Sequence, residues 1–142
     1  MLAEIEDRCD AIEECYEFML GYAGRGFSGE EAGESSEVRQ RLRGAAEALN
    51  GLPRELGDLV EKHRLEPEST YRAFLAVIDR DARDSLAAIE LVLSQRVISS
   101  QLIDNLNASI HLRALLTDLF LIDEVLSTQV KQQGPAGHKL SK

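Results

Sequence analysis

The 142-residue sequence predicts an all-α fold, an antiparallel bundle of four principal helices formed by one domain over residues 1–131. Three observations carry this prediction. Apolar residues recur every three or four positions through most of the chain. Residues 69–133 contain neither glycine nor proline. No alternating run of β-branched or aromatic residues, bounded by turn residues, indicates a strand.

The first helix is predicted from Leu2 to about Gly21–Gly24, with a heptad spacing of its apolar side chains. A mobile loop over Gly24–Glu34 follows, because each of its glycines would cost a helix about 1 kcal/mol relative to alanine. Phe27 is the large apolar side chain of this loop. We expect it either to fill the bundle or to stand exposed as one edge of a partner contact. The predicted stripe of the first helix is Leu2, Ile5, Cys9, Ile12, Tyr16, Met19 and Ala23.

A second helix is predicted from the capping serines Ser35 and Ser36 to Asn50-Gly51, where glycine favours a helix end. Pro53 suits the first turn of a third, short segment, or a kinked continuation of the second helix. The apolar positions of these two segments are Val38, Leu42, Ala45, Leu49, Leu56, Leu59 and Val60.

The region 69–131 allows two interpretations, a helical hairpin or one helix of about 65 residues and roughly 100 Å. The hairpin would turn at Arg96–Ser100, where β-branched residues precede two good N-cap serines. Residues 132–142 contain two glycines and a proline, so a disordered tail is predicted there. The stripe of the first half is Tyr71, Leu75, Ile78, Ala82, Leu86, Ile89 and Leu93.

The net charge of −9 is unevenly distributed, since residues 1–36 carry ten acidic and two basic side chains. This excess predicts an acidic solvent face on the first helix. One interpretation is that this face only keeps the protein soluble. The other is that it binds a basic partner, or packs against a neighbouring helix through Arg39, Arg41 and Arg43. Strong negative charge and the absence of tryptophan argue against a nucleic-acid partner.

Three of the first seven residues are acidic, whereas a signal peptide begins with basic residues. The apolar stretch 110–126 is interrupted by four charged residues, so no membrane span is expected. We therefore expect a cytoplasmic protein with no membrane partner. Cys9 and Cys15 would lie about 9 Å apart along one helix, too far for a disulfide, so free thiols are expected. No metal site and no cofactor are predicted from the ligand types present.

Asp104, Asn107, His111 and Asp118 follow one another at spacings that place them on one face of a continuous helix. We interpret this polar stripe as the candidate binding site, with water as its default environment. A histidine flanked by carboxylates can also shuttle protons. His111-Leu112-Arg113 resembles the histidine segment of histidine phosphotransfer domains, which implies phosphoryl transfer by His111. The arginine lies two rather than three residues beyond the histidine, about 200° around the helix.

The sequence therefore predicts a non-enzymatic protein that acts by association, as a small adaptor or regulatory subunit. Its predicted partners are a second copy of itself and an unidentified protein. The dimer is expected through the first helix and the helix after Ser100, because Leu119–Ile122 is apolar over more than one stripe. The alternative is a phosphotransfer protein or a small helical enzyme that uses His111 with Asp104 or Asp118.

Overall fold

The computed structural model describes residues 5–25 and 32–133, and within them every regular element is helical. The all-α prediction is confirmed, with five helices in place of four. They are α1 (Glu6–Arg25), α2 (Ala32–Lys62), α3 (Glu68–Leu93), α4 (Ser100–Ala108) and α5 (His111–Gln133). None of them is long and apolar enough to cross a lipid bilayer.

The helices enclose one apolar core. Helix α2 packs against both α1 and α3, α3 also packs against α5, and the short α4 packs against α1. The largest fully buried side chains come from every helix except α5 and from the connections on either side of α3. They are Ile12, Met19, Tyr22, Leu42, Leu49, Leu52, Leu56, Leu65, Ile78, Ile89, Ile98 and Ile103.

Helix α1 continues through Gly21 and Gly24, so its predicted end is a few residues too early. Its buried stripe runs through Cys15 and Tyr22, whereas the predicted Cys9 and Tyr16 are only half-buried. A hydrogen bond explains part of the difference. The Tyr22 hydroxyl donates to the carbonyl of Ile98 at 2.7 Å, which gives this buried polar atom a partner next to α4.

The predicted second and third segments form the single helix α2, with Pro53 inside it. Arg8 of α1 crosses this region, and its Nε donates to the Glu55 carboxylate at 2.7 Å. Its Nη1 donates to two carbonyls of the turn before Pro53, at 3.2 Å each. A Cβ on Gly51 would lie 2.6 Å from the Arg8 guanidinium. Gly51 therefore admits the arginine side chain rather than ending the helix.

A hairpin, not one long helix, forms after residue 68, since the chain leaves helical structure between α3 and α4. Ser99 caps α4 as predicted for this turn, accepting from the Leu102 amide at 3.1 Å. Arg39 of α2 donates to the carbonyls of Leu93 at 3.0 Å and Arg96 at 2.7 Å, which satisfies the end of α3.

A second break, between α4 and α5, was not predicted. Ile110 has a φ of 60°, in the left-handed region that a β-branched residue rarely adopts. The chain therefore changes direction where the sequence pattern predicted one continuous helix.

Two sequence predictions fall partly outside the described residues. Residues 26–31 of the predicted loop, which include Phe27, are not described. The remaining residues of the predicted loop are helical, because α1 continues to Arg25 and α2 begins at Ala32. Helix α5 extends to Gln133, two residues into the predicted tail, and residues 134–142 are not described.

Candidate functional site

The polar stripe predicted around His111 is divided between two helices. Asp104 and Asn107 lie on α4, whereas His111 and Asp118 lie on α5, on the other side of the break at Ile110. The prediction of a shared helical face was wrong, because it required helical backbone at Ile110. These four residues therefore do not form one surface on one helix.

The two α4 residues have different environments. Asp104 is exposed. The Asn107 amide donates to the carbonyl of Met19 on α1 at 3.4 Å, and its Oδ1 is buried without a partner among the described residues. Asn107 thus contributes to the contact between α4 and α1. Nearby, the buried Ser100 hydroxyl donates to the carbonyl of Tyr22 at 2.7 Å.

Asp118 faces α3, where it meets the carboxyl group of Asp81. Burial, and then the hydrogen bond and negative charge of Asp81, raise the pKa of Asp118 to about 7. Two ionised carboxylates only accept hydrogen bonds, so the contact requires a proton on one of them. Asp118 Oδ2 is buried and has no hydrogen-bond partner among the described residues. The pair sits where α3 packs on α5.

His111 is the first residue of α5 and is half-buried. Within residues 5–25 and 32–133 its side chain makes neither a hydrogen bond nor an ion pair. The orienting carboxylate that a catalytic histidine usually requires is therefore missing from the described surroundings of His111.

The two cysteines of α1 are free. Burial raises the pKa of Cys15 to about 12. Burial, followed by the carboxylates of Asp10 and Glu13, raises the pKa of Cys9 to about 11. Both thiols thus remain protonated at neutral pH and are poor nucleophiles.

The solvent-facing side of α5 carries large exposed apolar side chains. Phe120 is 58% exposed and Leu121 is 55% exposed, although Leu119 and Ile122 on either side are buried. We define the α5 ridge as the five exposed residues from Arg113 to Glu124 that share this side of the helix. At about 100° per residue they fall within an arc of about 100°. The α5 ridge comprises Arg113, Thr117, Phe120, Leu121 and Glu124.

A groove flanks the α5 ridge on each side. On the α1 side, Tyr16, Leu20 and Phe120 line a groove of about 350 Å³, together with Glu13, Glu17 and Arg113. On the α3 side, the groove is almost wholly apolar and has a volume of about 310 Å³. Its apolar lining consists of Pro67, Tyr71, Phe74, Leu121, Ile122 and Val125.

Sequence reasoning identified the apolar part of this surface but not its charged ends or the Asp81 contact. Arg113 and Glu124 are eleven residues apart, three helical turns, and that spacing could have placed them on one face. The contact of Asp81 with Asp118 joins positions 37 residues apart, and no local pattern indicates it.

Comparison with protein-family models, with curated proteins and with solved structures finds no match to this chain.

Proposed function

We propose that this protein acts by association, as a homodimer that serves another protein as a small adaptor or regulatory subunit. The observation that carries the proposal is the exposure of Phe120 and Leu121 on the outer side of a helix whose inner side is already packed. Large apolar side chains in a contiguous exposed patch mark interaction surfaces in soluble proteins. Burying them against a second protein removes apolar area from water.

The surroundings of this patch fit a protein interface. Leu20 of α1 is 50% exposed and lines the groove that Phe120 also lines. Arg113, Glu13 and Glu17 surround the same groove, so the rim carries both signs of charge. A rim of mixed charge around an apolar centre is typical of interfaces, and it allows the same surface to complement itself across a two-fold axis.

The long helices α1, α2, α3 and α5 are proposed to form the antiparallel bundle that presents this surface. The packing of α2 on its two neighbours, and of α3 on α5, supports this arrangement. The free cysteines agree with the proposed cytoplasmic location, where thiols are kept reduced.

Size-exclusion chromatography with light scattering, at several protein concentrations, tests the proposal. Phe120→Glu places a charge in the centre of the patch and should raise the dimer dissociation constant by at least about 100-fold, as loss of a central anchor does. Leu91→Glu is the matched control, because Leu91 is 67% exposed on α3 and lines neither groove. The control should dimerise like the wild type.

Equal dissociation constants for Phe120→Glu and the wild type would contradict the proposal. Circular dichroism spectra of all variants should superimpose, since both substituted positions are exposed.

A further inference from the structure

We infer that the second copy docks on the α5 ridge in an antiparallel register that places Arg113 of each chain opposite Glu124 of the other. This inference rests on the proposed function and specifies its geometry.

The α5 ridge has opposite charges at its ends. Arg113 and Glu124 are both exposed, and their separation of eleven positions corresponds to about 16 Å of helix at ~1.5 Å per residue. Arg113 lines the α1-side groove with Glu13 and Glu17. In the described part of the chain, however, neither Arg113 nor Glu124 makes an ion pair. Both charges are therefore available to a second copy.

A two-fold axis perpendicular to α5 reverses the second ridge, so the basic end of each copy meets the acidic end of the other. A parallel arrangement would instead bring Arg113 against Arg113 and Glu124 against Glu124, and like charges at a contact are unfavourable. The charge pattern thus selects the antiparallel orientation of the two helices.

The residues between the two charges fit the same register. The axis passes midway between Arg113 and Glu124, which places Thr117 of one copy opposite Phe120 of the other. The Thr117 hydroxyl donates to the Arg113 carbonyl of its own helix at 3.0 Å, so it requires no further partner. Its side chain is small and presents a methyl group, so it leaves room for the large Phe120 ring of the other copy. Each ridge can then enter a groove beside the other, as packed helices do.

Charge reversal tests this register. Arg113→Glu and Glu124→Arg should each weaken the dimer about tenfold, because each creates two like-charge contacts in place of two exposed ion pairs. The doubly reversed chain should recover to within about threefold of the wild type, since the opposite charges again face each other. Raising the salt concentration to about 0.5 M should reduce the effect of each single reversal.

Net charge alone predicts a different result. Arg113→Glu makes the acidic chain more negative, and Glu124→Arg makes it less negative, so a general repulsion would change the dissociation constant in opposite directions. Arg80→Glu, at an exposed position of α3, makes the same change in net charge as Arg113→Glu and serves as the control. It should weaken the dimer by less than about twofold.

Three outcomes are distinguishable by sedimentation equilibrium. Weakening by both single reversals with recovery in the double supports the register. Unchanged dissociation constants in both single reversals, with loss of the dimer in Phe120→Glu, overturn the register and leave the proposed function standing. A wild-type chain that stays monomeric at tens of micromolar overturns both.

Discussion

Replacing Asp118 with asparagine should stabilise the protein above neutral pH and leave its stability nearly unchanged in acid. Asp118 is half-buried where α5 packs on α3, beside the carboxyl group of Asp81. Its pKa rises from 3.8 to about 7, first through burial and then through Asp81. Between these two values the folded protein keeps a proton that the unfolded chain has lost. Stability from this proton is therefore fully present below about pH 4 and is lost as the pH rises through about 7.

The magnitude follows from the pKa difference. One pKa unit corresponds to about 1.4 kcal/mol, so the full shift would be worth about 4 kcal/mol for a pair isolated from water. Solvent reaches part of both side chains and screens them, which reduces the expected effect to about 1–2 kcal/mol. Asparagine matches the shape of aspartate, stays neutral at every pH, and offers its amide to Asp81 as a donor.

Chemical denaturation followed by far-UV circular dichroism measures the effect at about pH 3.5, where Asp118 is largely protonated in the folded and the unfolded chain, and at about pH 8. Asp118→Asn should exceed the wild type by about 1–2 kcal/mol at the higher pH and match it within about 0.5 kcal/mol at the lower. Asp123→Asn removes an exposed carboxylate from the same helix and should show no such pH-dependent gain. The same change at both pH values in Asp118→Asn, or a loss of stability at the higher pH, would refute the shared proton.

Three further experiments test the packing. Gly44→Ala should raise the free energy of unfolding by about 1 kcal/mol, because a Cβ there meets no atom, whereas Gly51→Ala should raise it less or lower it by displacing Arg8. Equal increases in the free energy of unfolding, measured by chemical denaturation, would contradict the close approach of Arg8 to Gly51. Leu119→Asp should lower the free energy of unfolding by about 4 kcal/mol or more, whereas His111→Ala should change it by no more than about 0.5 kcal/mol. A large decrease in His111→Ala would show that the histidine makes an unrecognised buried contact. The Cys15 thiol is 1% exposed and should react with a thiol reagent at neutral pH only as fast as the protein opens. Rapid reaction of Cys15 in the native state would show that it is an accessible thiolate.

The sequence pattern predicts helical faces well where one helix packs on one core. Val38, Leu42, Ala45 and Leu49 were predicted as the stripe of the second helix, and all four are buried. This success has a local cause, because the helical repeat alone decides which side chains share a face. In α3 the same reasoning selected Leu86, which is half-buried, where Ser85 is buried beside it.

Features that depend on distant residues were beyond a local pattern. Pro53 remains inside α2 while Arg8, more than forty residues earlier, donates to carbonyls of the preceding turn. No glycine or proline near Ile110 indicates the break in the sequence. That break divides the predicted polar site between two helices. The candidate residues do not share one helical face because of the backbone conformation at Ile110, not because of their side-chain chemistry.

The candidate interaction surface was partly accessible to sequence reasoning. Four consecutive apolar residues, Leu119–Ile122, exceed the width of one buried stripe, and in the structure the outer two are buried and the middle two are exposed. The sequence could not show which neighbours cover the helix, because that depends on how α1 and α3 pack on either side of it.

Sedimentation equilibrium of the wild-type chain, from low to tens of micromolar, tests the central claim of association most directly. The proposed α5 interface predicts a mass that rises with concentration from the 15.7 kDa of one chain toward twice that value. A mass that stays at 15.7 kDa throughout the range would contradict it.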